Sequence, residues 1–121
     1  MPPKSDDNFE FVDSKTEQKG TTTNSIEIYV PKGKLDVEAL KKLCAGRKFN
    51  HQTGNFFFIA IFDAKKNVSF SEYPLTAGYG DDEKKMKHIK AYYTFNRLNG
   101  YSKLETYKKN MYESAVDEID I

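Results

Sequence analysis

Between Asn55 and Asp63 lies an unbroken apolar run, Phe56-Phe57-Phe58-Ile59-Ala60-Ile61-Phe62. Its aromatic and β-branched residues favour a strand. A strand with one wet face alternates apolar and polar residues, whereas a strand covered on both faces reads as a continuous apolar stretch. The mean hydropathy of the chain is −0.74, so such a run belongs at the centre of the fold. Both of its faces then need a cover, and the sequence supplies one convincing helix. The sets Phe56, Phe58, Ala60, Phe62 and Phe57, Ile59, Ile61 point to opposite faces. The helix covers one, and Phe57, Ile59 and Ile61 are expected to face a layer from outside the minimal fold.

Length and composition bound the remainder. A chain of 121 residues suits one domain. Only 38% of it is hydrophobic, but nine Phe and eight Tyr supply large buried areas per residue. A net charge of +1 gives no global pull toward nucleic acid or membrane. The single cysteine, Cys44, excludes an intrachain disulfide and an all-cysteine metal site, and fits a reducing, cytoplasmic setting. No stretch reaches the roughly 18 apolar residues of a membrane span. The segment from Met1 to Asp7 lacks a signal-peptide core, although a signal already removed would leave no trace.

Along the chain, residues 1–24 read as a polar N-terminal tail, ending in the linker-like Gly20-Thr21-Thr22-Thr23-Asn24 and interrupted by Phe9, Phe11 and Val12. Residues 25–109 read as one α+β domain. Ser25–Val30 alternates and predicts a strand. Asp36 is placed as N-cap of a helix over 36–46, with Val37, Leu40, Leu43 and Cys44 on its inner face and Gly46 as its stop. The central strand follows over 55–62, then a third strand over Val68–Tyr73, and a short helical turn after Asp81-Asp82-Glu83. From His88 to Asn96 the alternation and the Asn99-Gly100 turn signal predict a hairpin with Tyr101–Lys108. Residues 110–121 form an acidic tail with four acids and no base.

The expected architecture is β-α-β-β-β-β, one helix on a mainly antiparallel sheet of about five strands. The cystatin-like arrangement shares this element order, which by itself says nothing of function. If residues 88–98 were helical, a ferredoxin-like β-α-β-β-α-β fold would replace it.

The hairpin carries the most distinctive surface chemistry. Its outer face is expected to display Lys90 and Tyr92 on one strand and Tyr101, Lys103 and Tyr107 on the other. From Lys84 to Lys109 there are eight bases and one acid, Glu105. Tyrosine supplies contact area at little entropic cost, and lysine supplies long-range attraction. The surface suits an acidic protein partner, the chain's own acidic end or a second copy. A single-stranded nucleic acid, stacked on the tyrosines, is the alternative. A solvated edge hairpin blocked by lysines is the bland alternative. Two loops could build a small-ligand or hydrolase site from Arg47, His51 and Asp81. No metal-binding spacing, nucleophile elbow or phosphate loop is present, and no motif calls for a cofactor. Cys44, on the apolar helix face, reads as an inert buried thiol. The expected function is therefore a small non-enzymatic interaction protein: an inhibitor, an immunity-type binder or an assembly subunit.

Overall fold

The computed structural model describes residues 5–49, 54–72, 74–80, 82–113 and 116–121. Six strands form one sheet in chain order: β1 (Phe9–Lys19), β2 (Thr22–Pro31), β3 (Phe56–Phe62), β4 (Ile89–Asn96), β5 (Tyr101–Tyr107) and β6 (Val116–Asp120). Helix α1 (Val37–Phe49) carries the chain from β2 to β3, which run parallel; the other neighbouring pairs are antiparallel. The fold is thus α+β with one main helix, and its sheet is mixed. No helix among the described residues is long and apolar enough to cross a membrane.

The central strand is buried on both faces, but its covers differ from expectation. Phe57, Ile59 and Ile61 meet α1 through Leu40, Leu43 and Cys44. Phe58, Ala60 and Phe62 meet Leu75 and Tyr79, with Val68, Phe70 and Met86 packed alongside. The second layer is therefore the chain's own connection between β3 and β4, not an outside molecule. The expected strand over Val68–Tyr73 does not form in its described part; Tyr73 lies outside the described residues. The reason is topological. Both edges of β3 are already taken by β2 and β4, so an apolar segment arriving after Asp63 can only lie across the face. It does so through two 3₁₀ turns, Lys65–Asn67 and Leu75–Ala77, and the short helix α2 (Glu83–Met86), which Asp82 caps by accepting from the Lys85 N–H. Side chains replace a strand ladder here: Tyr79 Oη donates to the Ser69 carbonyl at 2.8 Å and Lys85 Nζ to the Phe70 carbonyl at 2.9 Å.

Helix α1 begins as read, with Asp36 Oδ1 accepting from the Glu38 N–H at 2.9 Å. It continues past Gly46 to Phe49, and Val37 is exposed while Arg47 is buried. A mid-helix glycine costs about 1 kcal/mol, which the buried partnership of Arg47 described below offsets. Two bulges reset the faces. Opposite the step from Ile61 to Phe62, Lys90 is the extra residue, so Ile89 and Ala91 enter opposite cores. Val12 plays the same part in β1, sending Phe9 and Phe11 to the helix side and Val12 to the other.

Both segments expected as tails contain sheet strands. β1 turns into β2 through Gly20-Thr21, with Gly20 at φ 61°, and a glycine leading a two-residue loop suits a hairpin. β6 pairs with β5 from Lys103–Asp120 to Tyr107–Val116. Between β4 and β5 the pairing of Asn96 with Tyr101 leaves a four-residue loop, residues 97–100, that ends on Asn99-Gly100. Residues 88–98 are not helical as described, which removes the ground for the ferredoxin-like alternative.

If the segment 63–88 is a structural layer, Leu75→Ala should cost about 2–5 kcal/mol in urea unfolding, as a core leucine does. The exposed neighbour Thr76→Ala should stay within about 0.5 kcal/mol. A Leu75→Ala loss no larger than that of Thr76→Ala would show that the layer carries no stability.

Candidate functional site

The five hairpin residues expected on one exposed face separate. Tyr92 is only 7% exposed, its ring stacked 5.7 Å from Phe58 and edge-on to Tyr79 at 6.1 Å. It belongs to the core beneath residues 63–88, because that segment covers the face that was expected to be open. Tyr107 is half-buried and its Oη donates to Glu105 Oε1 at 2.9 Å. Lys90, the bulge residue, donates from Nζ to the Lys109 carbonyl at 2.7 Å. Tyr101 and Lys103 stay together at the surface, the Lys103 Nζ 5.9 Å from the Tyr101 ring centroid.

Lys103 is also where the hairpin meets the acidic end of the chain. Its Nζ lies 3.5 Å from Glu118 Oε2 and 3.7 Å from Asp120 Oδ1. Asp120 and then Glu118 raise the lysine above its ordinary pKa by attraction. The sequence separates a basic hairpin from an acidic tail; the fold puts them on adjacent strands.

The two edges of the sheet are finished differently. Along β1, the N–H of Phe9 is taken by Asp6 Oδ1 at 2.7 Å, that of Phe11 by Ser5 Oγ at 2.9 Å and that of Ser14 by Asp13 Oδ1 at 2.8 Å. Along β6, the Ile121 N–H bonds inward to the Ser102 carbonyl at 3.1 Å. The antiparallel alternation then turns the backbone of Val116, Glu118 and Asp120 outward. Among the described residues no side chain is seen to bond those outward groups. Beside this open edge, on the α1 side, a groove of about 370 Å³ is lined by Ala45, Lys48, Phe49, Phe95 and Ile121. Phe49 is 78% exposed there. Lys48, one of the lining residues, has its Nζ 5.3 Å from the Phe95 ring centroid and 3.1 Å from the Ile121 carbonyl oxygen.

The second expected site does not assemble among the described residues. His51 and Asp81 lie outside them. Arg47 sits in the last turns of α1 instead of a loop. Its Nε and Nη2 donate to the two carboxylate oxygens of Glu27 at 2.9 and 2.6 Å, and Tyr29 Oη donates to Glu27 Oε1 at 2.8 Å. All three residues are buried, so this cluster clamps α1 onto β2. His88 Nδ1 lies 2.9 Å from Asp63 Oδ2 where β3 ends and β4 begins, and the histidine together with Asn67 lowers the Asp63 carboxyl against the opposing effect of burial. No group of three or more metal-ligating side chains occurs among the described residues.

β6 and the capped edge of β1 were missed in sequence because charged residues dominate both. The available signals were weak: Ile119 and Ile121 at strand spacing, Phe9 and Phe11 likewise, and the Gly20 turn. Comparison with known proteins adds no identity: no family model matches the chain, and no characterised protein or solved structure matches it.

Removing one member of a buried ion pair leaves the other uncompensated. Arg47→Met should therefore cost about 3–5 kcal/mol in chemical denaturation, and Glu27→Gln combined with it should recover part of the loss. Equal losses in the single and double variants would show that Arg47 acts by packing alone.

Burial also raises Tyr29, Tyr79, Tyr92, Tyr93 and Tyr107, Tyr93 from 10.0 to about 12. A raised phenol is stabilising while protonated. Its contribution is complete below the unfolded value of 10.0 and is lost as pH climbs through the folded one, about 12 for Tyr93. Stability should fall steeply above pH 10, and tyrosinate absorbance from these rings should rise only with loss of the near-ultraviolet dichroism. Ionisation of all tyrosines near pH 10 in the folded chain would contradict the burial.

Proposed function

We propose that this chain is a small non-enzymatic protein-binding module that works through its β5–β6 side. The observation that carries this reading is the contrast between the two sheet edges. Exposed strand edges invite pairing, and proteins usually block them. Here side chains occupy the N–H groups of Phe9, Phe11 and Ser14 in the first half of β1, leaving those of Thr16 and Gln18, while the outward backbone of β6 has no such cover anywhere along its length among the described residues and lies beside an apolar groove. Strand addition to an open edge is a common way for a protein to bind an extended segment of another. Tyr101 and Lys103 flank the same edge and add contact area and charge. An inhibitor, an immunity-type binder and an assembly subunit all use such a surface, and a cytoplasmic setting fits the buried Cys44 thiol, which burial raises well above its usual range.

The nucleic-acid alternative draws less support from the geometry. Tyr92 has no open face on which a base could stack, and Lys103 already faces two carboxylates. Phosphate binding depends on basic groups that release counterions from the nucleic acid, and β6 places acids beside them.

The test uses Glu118→Pro, which removes an outward N–H and leaves the inward ladder to β5 intact. A protein enriched by the wild-type chain should be lost with Glu118→Pro and with Tyr101→Ala/Lys103→Ala. The same protein, purified, should bind the wild-type chain at a fixed ratio. Partners retained equally by all three forms, or no partner in any extract from the native source, would overturn the reading.

A further inference from the structure

We infer that the occupant of the β6 edge is an extended segment of another protein in which basic and apolar residues alternate; this deepens the protein-binding reading and rests on it. The pleat of β6 sets the requirement. Leu104 pairs with Ile119 and Lys103 with Asp120. Asp117, Ile119 and Ile121 therefore share the α1 side, and Val116, Glu118 and Asp120 share the opposite side. A strand added outside β6 continues both rows. On the α1 side its residues reach Ile119, Ile121 and the groove beneath Phe49. On the other side they reach Glu118 and Asp120, which have a single lysine between them. Asp117 is exposed and adds to the negative charge of the edge. An apolar residue facing the groove, followed by Lys or Arg facing the carboxylates, satisfies both sides at the period of a strand.

The same charges select against a second copy of this chain. Two β6 strands pairing antiparallel through their outward backbones would set Glu118 opposite Glu118 or opposite Asp120, and like charges directly opposite destabilise a sheet. The other edge, β1, has its N–H groups at Phe9, Phe11 and Ser14 already engaged.

The probe is a labelled heptapeptide, Lys-Val-Lys-Val-Lys-Val-Lys, with Glu-Val-Glu-Val-Glu-Val-Glu as its counterpart, read by fluorescence anisotropy against the full chain. The basic peptide should bind about tenfold or more tighter than the acidic one, weaken as salt rises, and lose about tenfold with Glu118→Pro. Amide exchange at Glu118 and Asp120 should slow in the complex. Because Glu118→Pro could also unfold the strand, a charge reversal, Glu118→Lys with Asp120→Lys, gives an independent arm: it should exchange the preference toward the acidic peptide. Equal binding of both peptides, binding indifferent to both variants, protection appearing away from β6, or self-association through β6 would each overturn the inference. A purified partner captured through Glu118 alongside a silent basic peptide overturns this inference and leaves the module reading standing. Silence in both experiments overturns both.

Discussion

The double burial of β3 governs the architecture. Phe57, Ile59 and Ile61 need one apolar layer, and Phe58, Ala60 and Phe62 need another. A fully buried aliphatic or aromatic side chain is worth about 1.5–3 kcal/mol relative to exposure, so a face of three left in water would cost much of a small domain's net stability. The chain meets this demand with two unlike devices. Helix α1 is regular and is clamped by the Glu27–Arg47–Tyr29 cluster. The segment 63–88 is irregular and holds itself down with side-chain bonds to its own carbonyls. Once both are in place, the β2–β3–β4 centre of the sheet is closed. The surface proposed for binding lies at its margins.

This arrangement explains which parts of the fold were legible in sequence. The apolar run, the Asp36 cap and the Asn-Gly hairpin each rest on local rules, and each appears where the pattern puts it. What failed was non-local. Val68–Tyr73 has strand alternation, but a strand needs a free edge, and β3 has none. Glu27 reads as the wet residue of an alternating strand, and only the arrival of Arg47 from α1 makes it a buried one. The hairpin face inverted for a similar reason. Alternation correctly put Tyr92, Tyr101 and Lys103 on one side, but it could not report that residues 63–88 lie over Tyr92 and stop short of Tyr101. Single-residue bulges at Val12 and Lys90 are likewise invisible to a period-two reading, and each reverses the faces on one side of it.

The strands at the margins were harder still, because little in their composition resembles a core. β1 spends most of its length in charged and hydroxyl residues, and β6 is mostly acid. Their stability comes from pairing with a sheet that is already formed, not from their own apolar content. Such strands are legible only after their neighbours are known. The candidate site inherits that difficulty: Tyr101 and Lys103 were within reach of sequence reasoning, while β6 beside them was not.

The charge distribution ties the margins to the centre. A net charge of +1 conceals a basic hairpin and an acidic end that the fold places side by side. Lys103 lies within ion-pair distance of two of the acids of β6, Glu118 and Asp120. The remaining negative charge faces outward along the edge and does two things at once. On the proposed reading it opposes pairing of two copies through β6, as charges on an exposed edge do. It also admits an opposite charge, so the feature that protects the strand in isolation is the one that would select its partner. β1 is closed from within only over its first half, at Phe9, Phe11 and Ser14. An edge guarded by charge is conditional in a way that an edge guarded by hydrogen bonds is not, and that difference is why β6 is the edge proposed for binding.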